Sequence, residues 1–133
     1  MNLKRCASLV AAAAVTACFT VSGTSFAAGD VEAGGAVYKK QCVICHDTAP
    51  GKHKVGPSLH GVYGRKAGTA EGYNLYRGLR GADWDWDDQS LDAYLVDPPA
   101  FTKRRNGQPG SMVFKLGNRQ NREDVIAYLK TLK

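Results

Sequence analysis

Sulfur and imidazole are scarce in this chain. Four cysteines, two methionines and three histidines occur among 133 residues. Cys6 and Cys18 fall in an apolar leader, so Cys42 and Cys45 alone are expected in the mature protein, and no disulfide framework beyond a bridge within that pair is available. Also missing are an internal repeat, an alternating or β-branched run before the cysteine pair, and any nucleophile-and-base constellation. Repeat architectures and hydrolytic catalysis are therefore unsupported. The remaining thiols carry the question of function.

Their compartment comes first. Lys4 and Arg5 precede a mostly apolar segment over residues 6–22, and Ser25-Phe26-Ala27 places small residues where a signal peptidase reads. Cleavage of a signal peptide, residues 1–27, is expected after Ala27, leaving 28–133 as one domain in the periplasm. Gly, Ser and Thr near residues 20–25 argue against a retained membrane anchor. Val15-Thr16-Ala17-Cys18 resembles a lipoprotein box, so a lipid on Cys18 is the alternative processing. Either route delivers Cys42 and Cys45 to an oxidising space.

Residues 42–46 read CVICH. A thioredoxin-like dithiol belongs at a helix start after a buried strand, and GDVEAGGAVYKKQ offers no such strand. Zinc would need His53 and His60, in a C-x2-C-x7-H-x6-H spacing unlike that of zinc fingers, and would leave His46 unused. A covalent haem uses all three residues. Two thiols one short turn apart add to the two vinyl groups of a porphyrin, and the next imidazole reaches the iron. The attached macrocycle also adds apolar surface to a chain with little core of its own.

Once the leader and its initiator are gone, Met112 is the one remaining thioether, in the Pro/Gly turn QPGSMVF. Methionine most often fills core gaps. Beside CVICH, a second role is expected, because Met/His ligation typifies electron-transfer haems. His53, His60 and Lys115 are the competing sixth ligands, and both histidines follow too soon after His46 to reach the far face with ease.

Several stretches in order, GDVEAGGAVYKKQCVICH, GKHKVGPSLHGVYGRKAG, WDDQSLDAYLVDP, PGSMVF and EDVIAYLK, resemble those of small soluble class I cytochromes c of the mitochondrial and proteobacterial type, from Gly29 to Leu132. The resemblance implies an all-α fold, with N- and C-terminal helices crossing and loops and short helices wrapped around one covalent haem c. It implies thioethers at Cys42 and Cys45, and His46 and Met112 as axial ligands. Pro57 would accept a hydrogen bond from the axial imidazole. Arg65, Trp86 and Tyr94 would meet a haem propionate or line the pocket near the methionine. A propionate-binding tyrosine would be Tyr76, or be absent with Leu75 in its place.

The residues support helices on their own. Val31, Gly34, Tyr38 and Cys42 recur at helical spacing from Asp30, and Gly34 and Gly35, each costing about 1 kcal/mol against alanine, suggest close approach to another helix. Asp87 is a plausible cap for a middle helix, with Trp86 and Leu91 as its staple, Leu91, Tyr94 and Leu95 on one face, and Pro98-Pro99 stopping it after Asp97. The last helix is expected to be capped by Asn121 with Asp124 three residues on, and to bury Val125, Tyr128, Leu129 and Leu132. Residues 51–81 read as ordered loops around a cofactor. Two features depart from the family pattern: TKRRNGQ after Phe101 is a longer link with a turn at Asn106-Gly107, and PGSM has one residue fewer between Gly and Met.

Basic residues outnumber acidic ones, 18 to 12. Those at 39–40, 52–54 and 103–105 are expected around an exposed haem edge, with the acidic run from Asp83 to Asp97 a solvated face with capping roles. Such a field favours brief encounters with acidic redox proteins: an oxidase, a quinol-oxidising complex, a reaction centre or a dehydrogenase. No aromatic-basic platform points to nucleic acid. The expectation is a monomeric one-electron carrier and not an enzyme, meeting membranes only through partners or that lipid. The rival is a five-coordinate haem protein that binds a small ligand or reduces peroxide.

Overall fold

The structure, a computed structural model, describes residues 28–133; the predicted leader, its cleavage site after Ala27 and Cys18 with its lipid lie outside the described residues. Among the described residues four α-helices follow in order: α1 Val31–Val37, α2 Asp88–Val96, α3 Pro98–Asn106 and α4 Arg119–Lys130. Among the described residues extended pairing is limited to one isolated antiparallel bridge, Lys66 with Asp85. The all-α expectation holds.

Asp30 caps α1, its carboxylate accepting from the Ala33 N–H at 2.7 Å. The helix does not run evenly to Cys42, however. From Tyr38 to Cys42 it widens into a π turn. Val31 is largely exposed, while Gly34, Val37 and Tyr38 are buried. Their partner is α4, the most extensive helix contact in the fold. Gly34 explains the intimacy: a Cβ there would run into the Asp124 carbonyl.

Asn121 is not the cap of α4. Asn118 takes that place, accepting from the Asn121 N–H at 2.9 Å, and the helix starts three residues earlier than its sequence suggested. The physical reason lies in Asp124. Its carboxylate serves α1, accepting from the Asp30 N–H at 2.9 Å and from Gln120 at 2.9 Å. Val125 and Leu129 are buried and Tyr128 and Leu132 partly so, as the stripe predicted.

Asp87 caps α2 in a reciprocal capping box with Ser90. The prolines end α2 as anticipated, yet they also begin α3, which the sequence reading took for a link. Pro98 occupies the first turn, where its missing N–H costs nothing, and Asp97 caps the helix by accepting from Ala100 N–H at 3.1 Å. The turn at Asn106-Gly107 is the end of α3, with Gly107 at φ 76°. The core joins Val37 and Tyr38 to Leu91, Tyr94, Phe101, Leu116, Val125 and Ile126.

Candidate functional site

A cavity of about 580 Å3 opens through the centre of the fold, within the roughly 300–1,000 Å3 range of small-molecule sites. Cys42, Cys45, His46, Pro57, Arg65, Trp86, Tyr94 and Met112 all line it. Every sequence-predicted site residue therefore comes to one place, from segments up to seventy positions apart. His53, His60 and Lys115 do not line it. The His53 ring bridges the Glu71 carbonyl (2.8 Å) and the Ser58 N–H (3.0 Å), and Lys115 Nζ donates to Asp97 Oδ2 at 2.6 Å.

The CVICH segment leaves the π turn in a tight coil. Cys45 and His46 both donate their N–H to the Cys42 carbonyl, at 3.1 and 2.9 Å. The two thiols are unbridged. Burial, and then the neighbouring Cys45, push the Cys42 thiol up to about 11. His46 is anchored through both its ring and its backbone. Its Nδ1 lies 2.8 Å from the Pro57 carbonyl, and a Cβ on Gly56 would strike its ring. The Tyr38 hydroxyl, which sequence reasoning missed, donates to the His46 carbonyl at 3.0 Å. Burial holds the imidazole pKa below its ordinary value, only partly offset by the bond to Pro57. The ring is thus neutral near pH 7, with Nδ1 donating to Pro57 and Nε2 keeping a lone pair.

Arg65 and Trp86 are set by one another's backbone: Trp86 N–H donates to Arg65 C=O at 2.9 Å, and Gly64 N–H to Trp86 C=O at 2.7 Å. The Arg65 guanidinium donates to the carbonyls of His60 (2.8 Å) and Ser58 (3.3 Å), while its buried Nε–H has no partner. Burial pulls its pKa down. An orphaned donor on a cation inside a cavity calls for an anionic ligand group. Tyr94 packs against Trp86 with ring centroids 4.9 Å apart, and burial raises its phenol pKa. Tyr76 and Leu75 both line the cavity, but the Tyr76 hydroxyl accepts from the Ala70 N–H at 3.0 Å and Leu75 is 71% exposed.

Met112 is half-buried against the core, and its segment is tied down at its ends. After it, Leu116 N–H donates to Leu95 C=O at 2.8 Å. Arg122, buried in α4, donates to the carbonyls of Leu116 (3.0 Å) and Gly117 (2.9 Å) and is oriented by Asp92 Oδ1 at 2.7 Å. Ile44, Val55, Leu75, Val113 and Phe114 form an exposed apolar rim to the cavity. The aspartates from 87 to 97 cap α2 and α3 and pair with Lys130, Arg122 and Lys115.

The site fits a haem: an apolar cavity, adjacent thiols, an imidazole with one free nitrogen, a thioether and a cation whose buried Nε–H has no partner. The cytochrome c family profile matches residues 31–133. Cytochrome c2 of Rhodopseudomonas palustris is 40% identical, the alignment covering 98% of this chain and 99% of that protein. Cytochrome c2 of Rhodospirillum rubrum is 39% identical over 93% of this chain and 96% of its own. The solved cytochrome c2 of Rhodospirillum centenum superposes with a TM-score of 0.70 at 39% identity, covering 78% of this chain and 98% of its own. The ferricytochrome c2 of Rhodopseudomonas palustris gives 0.69 at 44% identity, covering 78% and 99%. Such relatives favour a carrier over the five-coordinate alternative. With fold, cavity and relatives in agreement, the chain belongs to the cytochrome c family, as a small class I electron carrier with one covalently bound c-type haem.

Proposed function

We propose that His46 and Met112 are the axial ligands of the haem iron and that Cys42 and Cys45 carry the thioether bonds. The observation that carries this reading is the setting of His46, a neutral buried imidazole whose Nδ1 is spent on Pro57 while Nε2 remains free. When bound, the haem iron supplies the one-electron couple. The polypeptide supplies everything else. Pro57 fixes the tautomer and strengthens His46 as a donor. Arg65 offers its unpartnered Nε–H to a propionate. Trp86 and Tyr94 wall the site against water, so that burial and ligand softness tune the potential.

The apolar rim, with the exposed Arg77 among the cavity-lining residues, suits brief docking of acidic redox proteins. We assign the donor and acceptor to that class, among them a quinol-oxidising complex, an oxidase, a reaction centre or a dehydrogenase. The protein works as a periplasmic monomer after cleavage at Ala27, a carrier and not an enzyme. Lipid on Cys18 is the second processing route, decided by the mass of the mature N-terminus.

The ferric absorption spectrum tests the ligand set. A weak near-infrared sulfur-to-iron band is expected in the wild type and absent in Met112→Ala. High-spin bands and rapid carbon monoxide binding in the wild type would remove Met112 from the iron. Reaction with an acidic partner is expected to slow as salt rises; a rate indifferent to ionic strength discards the charge argument.

A further inference from the structure

Helix α3 grips the Met112 segment on both sides. Two residues ahead of Met112, the Gly110 N–H donates to Thr102 Oγ1 at 2.6 Å. Three residues behind it, Lys115 Nζ donates to Asp97 Oδ2, the carboxylate that caps α3. The two grips differ in kind. Lys115 and Asp97 have side chains 55% and 33% exposed, and pairs of that sort contribute little. Thr102 is 0% exposed.

A hydroxyl has one proton and two acceptor sites. In Thr102 the proton faces the carbonyls of Pro98 (3.0 Å) and Pro99 (3.1 Å), one turn back in α3. The lone pairs are left for Gly110, whose position is set further by contact: a Cβ there would lie 3.3 Å from Thr102 Oγ1 and 3.4 Å from its Cγ2. The acceptor belongs to a fully buried side chain, so losing it leaves the Gly110 N–H facing an apolar contact in place of its partner. Beyond Gly110, Ser111 and Val113 are exposed, and Met112 hangs between them. The closest buried hydrogen-bonded post to the thioether, along the chain, is therefore Thr102.

We infer that Thr102 is a positioning residue for the sixth ligand: its buried hydroxyl fixes Gly110 and thereby holds Met112 in the cavity. This inference rests on the assignment of Met112 to the iron. It also gives α3, and the TKRRNGQ segment that extends it, a purpose in ligand retention.

The test titrates imidazole, a competitor for the sixth position, into the ferric holoprotein. Thr102→Val, which keeps the shape and loses the acceptor, is expected to bind imidazole about tenfold more tightly, the equivalent of one lost hydrogen bond. Thr102→Ser, which keeps the hydroxyl, is expected to match the wild type. Wild-type imidazole affinity in Thr102→Val, with only a lower melting temperature, overturns the inference and leaves Thr102 a structural part of α3. Amide exchange in the wild type gives an answer even if Thr102→Val does not mature. Gly110 is expected to exchange more slowly than Ser111 and Val113, and equal rates overturn the proposal. A wild type without the sulfur band overturns the Met112 assignment and this inference with it.

Discussion

The segment that carries His46 and the segment that carries Met112 are built on different plans. Around His46 each residue is bonded: Gly56 N–H to the Cys45 carbonyl at 2.8 Å, Tyr38 hydroxyl to the His46 carbonyl at 3.0 Å, and Leu59 N–H to the Asp47 carbonyl at 2.8 Å. Around Met112 the bonds are at the ends, at Gly110 and from Lys115 to Gly117, while Val113 between them is 75% exposed. One segment is fixed residue by residue; the other is a span between posts. Damage to the first should therefore reach haem attachment and folding, and damage to the second should first reach ligand retention.

The largest effect is expected from Gly56→Ala. Its Cβ would strike a ring already pinned to Pro57, a clash worth about 3 kcal/mol, read by denaturant unfolding of the holoprotein and by a lower yield of thioether-linked haem. If the variant instead matched the wild type, the His46 segment would not be rigid. Asp92→Asn comes next. Weakening the charge-assisted bond that orients Arg122 is expected to cost about 2 kcal/mol and to raise imidazole affinity, since Arg122 holds the exit of the Met112 span. Tyr38→Phe is expected to cost about 1 kcal/mol with imidazole affinity unchanged. A shifted imidazole affinity there would erase the distinction between the two segments.

The smallest effect is one of pH. Its bond to Lys115, and then that to the Ala100 N–H, hold the Asp97 carboxyl below its usual range. A carboxyl with a pKa lower folded than unfolded adds stability above its unfolded value, about 3.9, and loses it as pH falls through the folded one. The Met112 span is thus expected to loosen as pH falls below about 4, with weakening of the sulfur band as the readout. Asp97→Asn should abolish that acid step.

Much of the His46 side was legible in the sequence, because its determinants are local: CVICH, the Gly56-Pro57 pair eleven residues on, and a helix running from Asp30. Much of the Met112 side was not. PPAFTKRRN has no apolar stripe, and Pro98 reads as a stop because the same residue ends one helix and opens the next, with Asp97 standing at both boundaries. Asn118 and Asn121 both suit the cap of α4, and only the demand of Asp30 on Asp124 across the fold decides between them. The π turn has no local signature. Thr102 and Arg122 look like ordinary helical residues until their carbonyl and amide partners arrive from distant segments.

The interlock of Gly34 and Asp30 with Asp124 also imposes an order on assembly. Cys42 and Cys45 lie early in the sequence, and Val125 and Leu129, which line the same cavity, lie about eighty residues later. Completion of the cavity wall therefore waits on the docking of α4 against α1, which couples the two ends of the domain to the shape of the site between them.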